Sequence, residues 1–154
     1  MRQPNYDKAP STKVSGAIIQ GWECILDQLG KVLGSSRVWA VDLYPGTIEE
    51  EIVQAFRRVG RKVVLTRDLM KSEKEILEMT RRFMTNDILF GYISNVRLEE
   101  YFDPDKVKAL RGCRQQEPLI IIGTGAASVA PDDAPVIYAD MARGAIQQRF
   151  RRHQ

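Results

Sequence analysis

Pro118 is followed by Leu119-Ile120-Ile121-Ile122 and then by Gly123-Thr124-Gly125, which stops the apolar run. A segment so short and so free of polar side chains has no face to offer water, and it suits a strand buried on both sides of a sheet. Residues 38–43, Val-Trp-Ala-Val-Asp-Leu, are a second run of this kind. Doubly buried strands require helices on both faces of the sheet, so the pair points to an α/β sandwich. At 154 residues the chain is long enough to bury roughly 70% of the surface its unfolded form exposes. Neither disulfides nor a structural metal is needed to hold it.

The segments between the strands carry the required helices. Ala17, Ile18, Trp22, Ile25, Leu26, Leu29 and Leu33 recur at helical spacing and end near Gly34. After residues 38–43 comes a helix over 48–59 with Ile52, Val53 and Phe56 on one side, then a strand over 62–66. Such strand-helix-strand crossovers are right-handed in almost all proteins. Residues 72–84 read as a helix with Ser72 as its cap and Glu75 as the capping-box partner. Residues 88–93 suit a short edge strand or a loop. Residues 98–102 and 104–114 read as one interrupted helix that restarts at Asp103-Pro104. Beyond the 119–122 strand, a turn at 131–135 leads to a strand over 136–141 and a closing helix over 142–153. The expected fold class is α/β, a three-layer sandwich with a mostly parallel sheet. The expected organisation is a flexible segment over 1–13 and a single domain over 14–154, with no internal repeat.

Composition narrows the partners. With 44% hydrophobic and 28% charged residues the chain matches an average globular protein, and no membrane partner is expected. Residues 1–13 lack an apolar signal core, and Cys24 and Cys113 lack a CxxC spacing, so a cytoplasmic protein with reduced thiols is expected. The net charge of +3 comes with a basic end, Arg143, Arg149, Arg151 and Arg152. A helix C-terminus accommodates such charge through its dipole. Without aromatic and basic residues interleaved for stacking, a nucleic-acid partner is disfavoured. His153 is the only histidine, which leaves no multi-histidine metal site and makes a Ser-His-Asp or Cys-His arrangement depend on one terminal residue. No catalytic residue and no metal ligand is assigned.

Ligands of open α/β sheets sit beyond the carboxyl ends of the strands. The polar groups gathered there would be Asp42, Gly46 and Thr47 after the first strand, Arg67 and Asp68 after the second, Thr124 after the third, and Asp140 and Arg143 after the fourth. The turn Tyr44-Pro45-Gly46-Thr47 lies where a phosphate-binding loop would. Such a loop needs several glycines, whose N–H groups cradle the phosphates, then a lysine and a hydroxyl residue opening the helix. Here there is one glycine, no lysine, and Glu49-Glu50-Glu51. The Gly123-Thr124-Gly125 run is not a dinucleotide fingerprint, because Pro131 interrupts the helix that motif requires. Two glycines admitting a neighbouring backbone is the better reading. Arg67 and Asp68 suit a local salt bridge better than ligand contacts. Thr124 either donates to a phosphate or caps its own turn. Asp140 suits a cap for the closing helix better than a metal ligand.

The stretches Val-Trp-Ala-Val-Asp-Leu-Tyr-Pro-Gly at 38–46, Ile-Ile-Gly-Thr-Gly-Ala-Ala at 121–127 and Ile-Tyr-Ala-Asp-Met-Ala-Arg-Gly-Ala-Ile-Gln-Gln-Arg-Phe-Arg-Arg at 137–152 carry a resemblance. Over residues 17–152 the chain resembles the N-terminal α/β region of long bacterial proteins classed with class I mannose-6-phosphate isomerases. In those proteins a cupin-type catalytic portion follows. That region is similar in turn to uridine-kinase-like P-loop folds. The resemblance aligns Tyr44-Pro45-Gly46-Thr47 with the phosphate loop and Arg143, Arg149 and Arg152 with the arginines of a lid helix. Gly144 stands where the family pattern has tryptophan. The isomerase activity would need a metal-binding β-barrel, for which this chain has no room. The resemblance therefore implies a P-loop-kinase-like fold with a degenerate phosphate loop, acting as a binding or regulatory domain in sugar-phosphate metabolism. Two alternatives stay open: an active small-molecule phosphotransferase, and a structural or oligomerisation domain. The expected ligand is a nucleotide or another phosphate-bearing small molecule. A cupin isomerase domain is the implied partner, and homo-oligomerisation is left open.

Overall fold

The computed structural model describes residues 11–13, 15–87, 90–113 and 117–152. Residues 1–10 of the expected flexible segment, Ile88 and Leu89 of the expected strand or loop, Arg114, and His153 lie outside the described residues.

Four strands, β1 (Val38–Leu43), β2 (Lys62–Leu65), β3 (Leu119–Gly123) and β4 (Val136–Ala139), form one sheet in the order β2-β3-β1-β4. All three pairings are parallel. The two runs with least polar interruption take the centre, as their composition demands, with Val38 opposite Leu119 and Val41 opposite Ile122. Ala40, Val41, Ile120, Ile121 and Ile122 are completely buried.

Strand alternation divides this core between two faces. Trp39, Val41, Leu43, Ile120 and Ile122 pack with Ile52, Val53 and Phe56 of α2 (Glu49–Arg57) and with the half-buried Trp22, Leu26, Leu29 and Leu33 of α1 (Trp22–Leu33). Val38, Ala40, Leu119 and Ile121 pack on the other side with Leu69, Phe102, Leu110 of α4 (Pro104–Cys113), and Ala126 and Val129 of α5 (Ala126–Val129). Helices thus cover both faces of the central strands, and the α/β sandwich follows. Between β2 and α4 lies α3 (Glu73–Thr80), and α6 (Arg143–Arg151) closes the chain.

Arg61 ties the first helix to the sheet. Its guanidinium lies 4.3 Å from the centre of the Trp39 ring and donates to the carbonyls of Gly34, Ser36 and Arg37, at 3.1, 2.6 and 3.2 Å. One cation thereby gathers three carbonyls of the segment that links α1 to β1 while stacking on a core aromatic. Partial burial pulls the Arg61 pKa below its usual value.

Several boundaries differ from those read in the sequence. The first helix begins at Trp22, because Gly21 at φ 83° turns the chain; Ala17 and Ile18 fall before it, and Ile18 is 85% exposed. Thr66 leaves the second strand to open a 3-10 turn over Thr66–Leu69. The 72–84 helix is α-helical over Glu73–Thr80 and 3-10 over Arg81–Phe83. Its expected capping box is present, with Glu75 N–H donating to Ser72 Oγ and Ser72 N–H donating to the Glu75 carboxylate. The restart at Asp103-Pro104 is also present, Asp103 accepting from the N–H groups of Asp105 and Lys106. The fourth strand stops at Ala139, short of residue 141. The four-residue α5 lacked a readable period. No described helix is long and apolar enough to cross a membrane.

Candidate functional site

β1 leads into α2 on one face of the sheet, and its neighbour β3 leads into α5 on the other. The strand ends therefore part between β1 and β3, which is where an open α/β sheet forms its ligand crevice. Here Asp42 occupies it. The Asp42 carboxylate accepts from the backbone N–H of Gly125 at 3.1 Å and from that of Ala127 at 2.9 Å. These donors would face an anion, and the chain supplies one of its own. Thr124 does not cap its own turn: its hydroxyl donates across the sheet to the Leu43 carbonyl at 3.1 Å.

The two glycines are required by close approach, although to side chains rather than to a backbone as the sequence suggested. A Cβ on Gly123, at φ 138°, would sit 1.9 Å from Thr66 Oγ1, and one on Gly125, at φ 78°, would sit 2.9 Å from the Phe102 ring.

The Tyr44-Pro45-Gly46-Thr47 turn is closed in the same way. Thr47 donates twice to the Tyr44 carbonyl, from its N–H at 3.1 Å and from its hydroxyl at 2.9 Å. Gly46, at φ 105°, offers its carbonyl to Arg149, and a Cβ on it would lie 3.0 Å from Ile146. The turn is thus packed beneath α6. Arg67 pairs with Glu49 at the start of α2, so the expected local bridge to Asp68 is absent. Glu51 accepts from the Trp22 indole at 3.0 Å. The Asp68 side chain is exposed and forms no hydrogen bond or ion pair among the described residues.

A second gap lies beside β4. A groove of about 630 Å³ is lined by Tyr44, Pro45, Tyr138, Asp140 and Arg143, with Ile146 of α6. Tyr138 is the partner of Asp42 in the parallel register, so its ring stands on the face of the sheet that holds Ala40 and α5. Val136 and Tyr138 are 54% and 61% exposed, and Tyr44 is 45% exposed. Partial desolvation, followed by the charges of Asp140, Tyr44 and Asp42, pushes the Tyr138 phenol above its usual pKa.

Asp140 is not the cap expected of it. Its carboxylate accepts from the adjacent Met141 N–H at 2.7 Å, and Ala142 occupies the cap position of α6 with no side-chain hydrogen bond. Arg143, the first residue of α6, is exposed and engages no partner among the described residues.

The eight candidate residues therefore fall into two groups. Asp42, Gly46, Thr47, Arg67 and Thr124 are committed to contacts within the chain, whereas Asp140 and Arg143 face the open groove, with Asp68 exposed apart from both. Among the groove residues, the sequence left Tyr138 unassigned and read Tyr44 only as part of the turn after β1. The signal for both was an aromatic residue at or just past the end of a strand.

A family model matches residues 21–154, nearly the whole chain. The chain belongs to the family DUF8485, described as a domain of unknown function. No curated protein and no solved structure matches it. Among the described residues no group of three or more histidine, cysteine, aspartate or glutamate side chains is placed to hold a metal ion.

Proposed function

We propose that this DUF8485 chain is a non-catalytic binding or regulatory domain of sugar-phosphate metabolism, with a kinase-like frame and a degenerate phosphate loop, working in the cytoplasm beside a cupin-type isomerase domain. The observation that carries the non-catalytic part is the Asp42 carboxylate hydrogen-bonded to the N–H groups of Gly125 and Ala127. Phosphoryl transfer depends on positioned N–H groups, a lysine and a held magnesium ion that together neutralise the phosphates. In this crevice the N–H groups are taken and the nearest fixed charge is negative. The start of α2 adds Glu49, Glu50 and Glu51, which satisfy the helix dipole and repel an anion. Arg67, the nearest substitute for a lysine, is held by Glu49. The link to sugar phosphates and to a cupin partner rests on the resemblance over residues 17–152.

Purified chain incubated with magnesium and ATP tests the reading by phosphate release and by phosphorylation of nucleosides and sugars. Release at the buffer background is expected. Turnover near one per second, in the range of working kinases and abolished by Thr47→Ala, would replace the binding domain with a phosphotransferase. Ligand binding itself is read by thermal stability, since a ligand at a hundred times its dissociation constant adds about 2.7 kcal/mol.

A further inference from the structure

The crevice between β1 and β3 is filled, so a ligand of this domain must be held elsewhere, and the groove beside β4 has the size and the free groups. We propose that this groove binds a single phosphate ester carried on a ring that bears hydroxyls, with the phosphate on Arg143, the ring against Tyr44 and Tyr138, and a hydroxyl on Asp140. The proposal rests on the binding-domain reading and adds the place and the chemical class of the ligand.

The volume of about 630 Å³ lies within the range of small-molecule sites. Of the arginines near the strand ends, Arg67 is held by Glu49 and Arg149 by the Gly46 carbonyl, which leaves Arg143 uncommitted. Its planar fork matches two phosphate oxygens at once. Among the described residues Arg143 is the one uncommitted cation that lines the groove, while Asp140 lines it too and Asp42 adjoins Tyr138 in register. That balance suits one phosphate and opposes a diphosphate or triphosphate, whose further charges would meet carboxylates. Tyr44 and Tyr138 both line the groove, are exposed, and supply aromatic surface with a polar tip, the combination that holds a ring and its substituents. One Asp140 oxygen accepts from Met141 N–H, and its other oxygen has no partner among the described residues, so it accepts from a ligand hydroxyl. Both a hexose phosphate and a nucleoside monophosphate present this chemistry, and binding measurements separate them.

The experiment titrates the full chain by calorimetry with glucose 6-phosphate, uridine monophosphate, inorganic phosphate and ATP. At least one of the two monophosphates is expected to bind with a dissociation constant below about 1 mM, with inorganic phosphate and ATP roughly tenfold weaker or more. Whichever monophosphate binds more tightly names the source. Arg143→Ala should weaken that ligand by roughly tenfold or more. Tyr138→Ala should weaken it while leaving inorganic phosphate unchanged, which a loss of fold would not do. Circular dichroism of both variants, matched to the parent chain, keeps the comparison valid, since neither side chain is buried. The proposal is overturned if neither monophosphate binds with a dissociation constant below about 1 mM. It is also overturned if affinity survives Arg143→Ala within about twofold. The two ideas fail separately: turnover of ATP would remove the non-catalytic reading and leave the groove, whereas monophosphate binding indifferent to Arg143 and Tyr138 would remove the groove and leave the domain.

Discussion

Two gaps stand side by side at the carboxyl end of the sheet, one on either side of β1. In the gap toward β3, the Asp42 carboxylate holds two N–H groups and Thr124 holds the Leu43 carbonyl, so each of these polar groups is satisfied within the chain. In the gap toward β4, Arg143 has no partner among the described residues, Asp140 holds only its neighbour's N–H, and two tyrosine rings face water. The topology marks the first gap as the ligand crevice, and the side chains make the second the open one. A switch point is thus a place where donors converge, and one carboxylate at the penultimate position of a strand is enough to satisfy them permanently. The cover differs as well. The first gap rests on the driest strands of the sheet, whereas the second is bounded by an edge strand whose outward residues no helix covers.

The largest expected effect tests that difference in cover. Ile121→Ala, beneath the filled crevice, should cost about 2 to 5 kcal/mol, as large-to-small changes in a rigid core do. Val136→Ala, at the exposed start of the edge strand that bounds the groove, should stay within about 0.5 kcal/mol. Urea melts with a loss below about 1 kcal/mol for Ile121→Ala would show the crevice to be as loosely supported as the groove. Next in size is Asp42→Ala, which strands the N–H groups of Gly125 and Ala127 and should cost about 1 to 3 kcal/mol. Asp140→Ala is the matching change on the other side and should fall within about 0.5 kcal/mol. Equal losses at the two aspartates would erase the contrast between a structural carboxylate and a free one.

The parts of this arrangement that the sequence disclosed are those that depend on local pattern. Apolar runs with the least polar interruption placed β1 and β3 at the centre, and the Ser72 and Glu75 spacing announced a capping box. Contacts that join distant strand ends were hidden. Arg67 was read against its neighbour Asp68, but the end of β2 lies near the start of α2, so Glu49 reaches it across 18 positions in the chain. Asp42 was read as a ligand group because nothing in 38–47 tells that β3 will lie alongside and turn its N–H groups inward. The start of α1 was missed because the apolar residues at 17 and 18 keep the helical period although Gly21 breaks the helix. The open groove was unreadable for a further reason: the exposure of Tyr138 follows from how far α5 extends over the sheet. A helix of four residues leaves no period in a sequence.

A smaller effect is expected at the rim of the crevice. The Arg67–Glu49 pair joins a largely exposed arginine to a partly exposed glutamate, so solvent screens it. A double-mutant cycle should give a coupling of no more than about 1 kcal/mol. It should decline between low and physiological salt, as exposed charge pairs do. A salt-independent coupling well above that would mean the ion pair, rather than Asp42, is what closes the crevice, and the comparison would need to be redrawn around Arg67.

The smallest effect concerns the charge of the groove itself. Partial desolvation, then Asp140, Tyr44 and Asp42, hold the Tyr138 phenol above the usual tyrosine value of about 10. Absorbance titration of the chain, corrected by the same titration of Tyr138→Phe, isolates this one phenol among five tyrosines. It should ionise above the unfolded value, and Asp140→Asn should bring it down, because removing a nearby negative charge makes the phenolate less costly. The sign for stability follows from proton binding. As pH rises past the unfolded value, the unfolded chain releases the proton while the folded chain keeps it. Folding then binds a proton, and stability declines through that window. A phosphate ester seated on Arg143 brings fresh negative charge into the same groove and should push the phenol higher still. If Asp140→Asn leaves the titration unmoved, the carboxylate does not share the groove with Tyr138. The open gap would then be only two exposed tyrosines beside an unrelated helix end, and its contrast with the filled crevice would lose its electrostatic half.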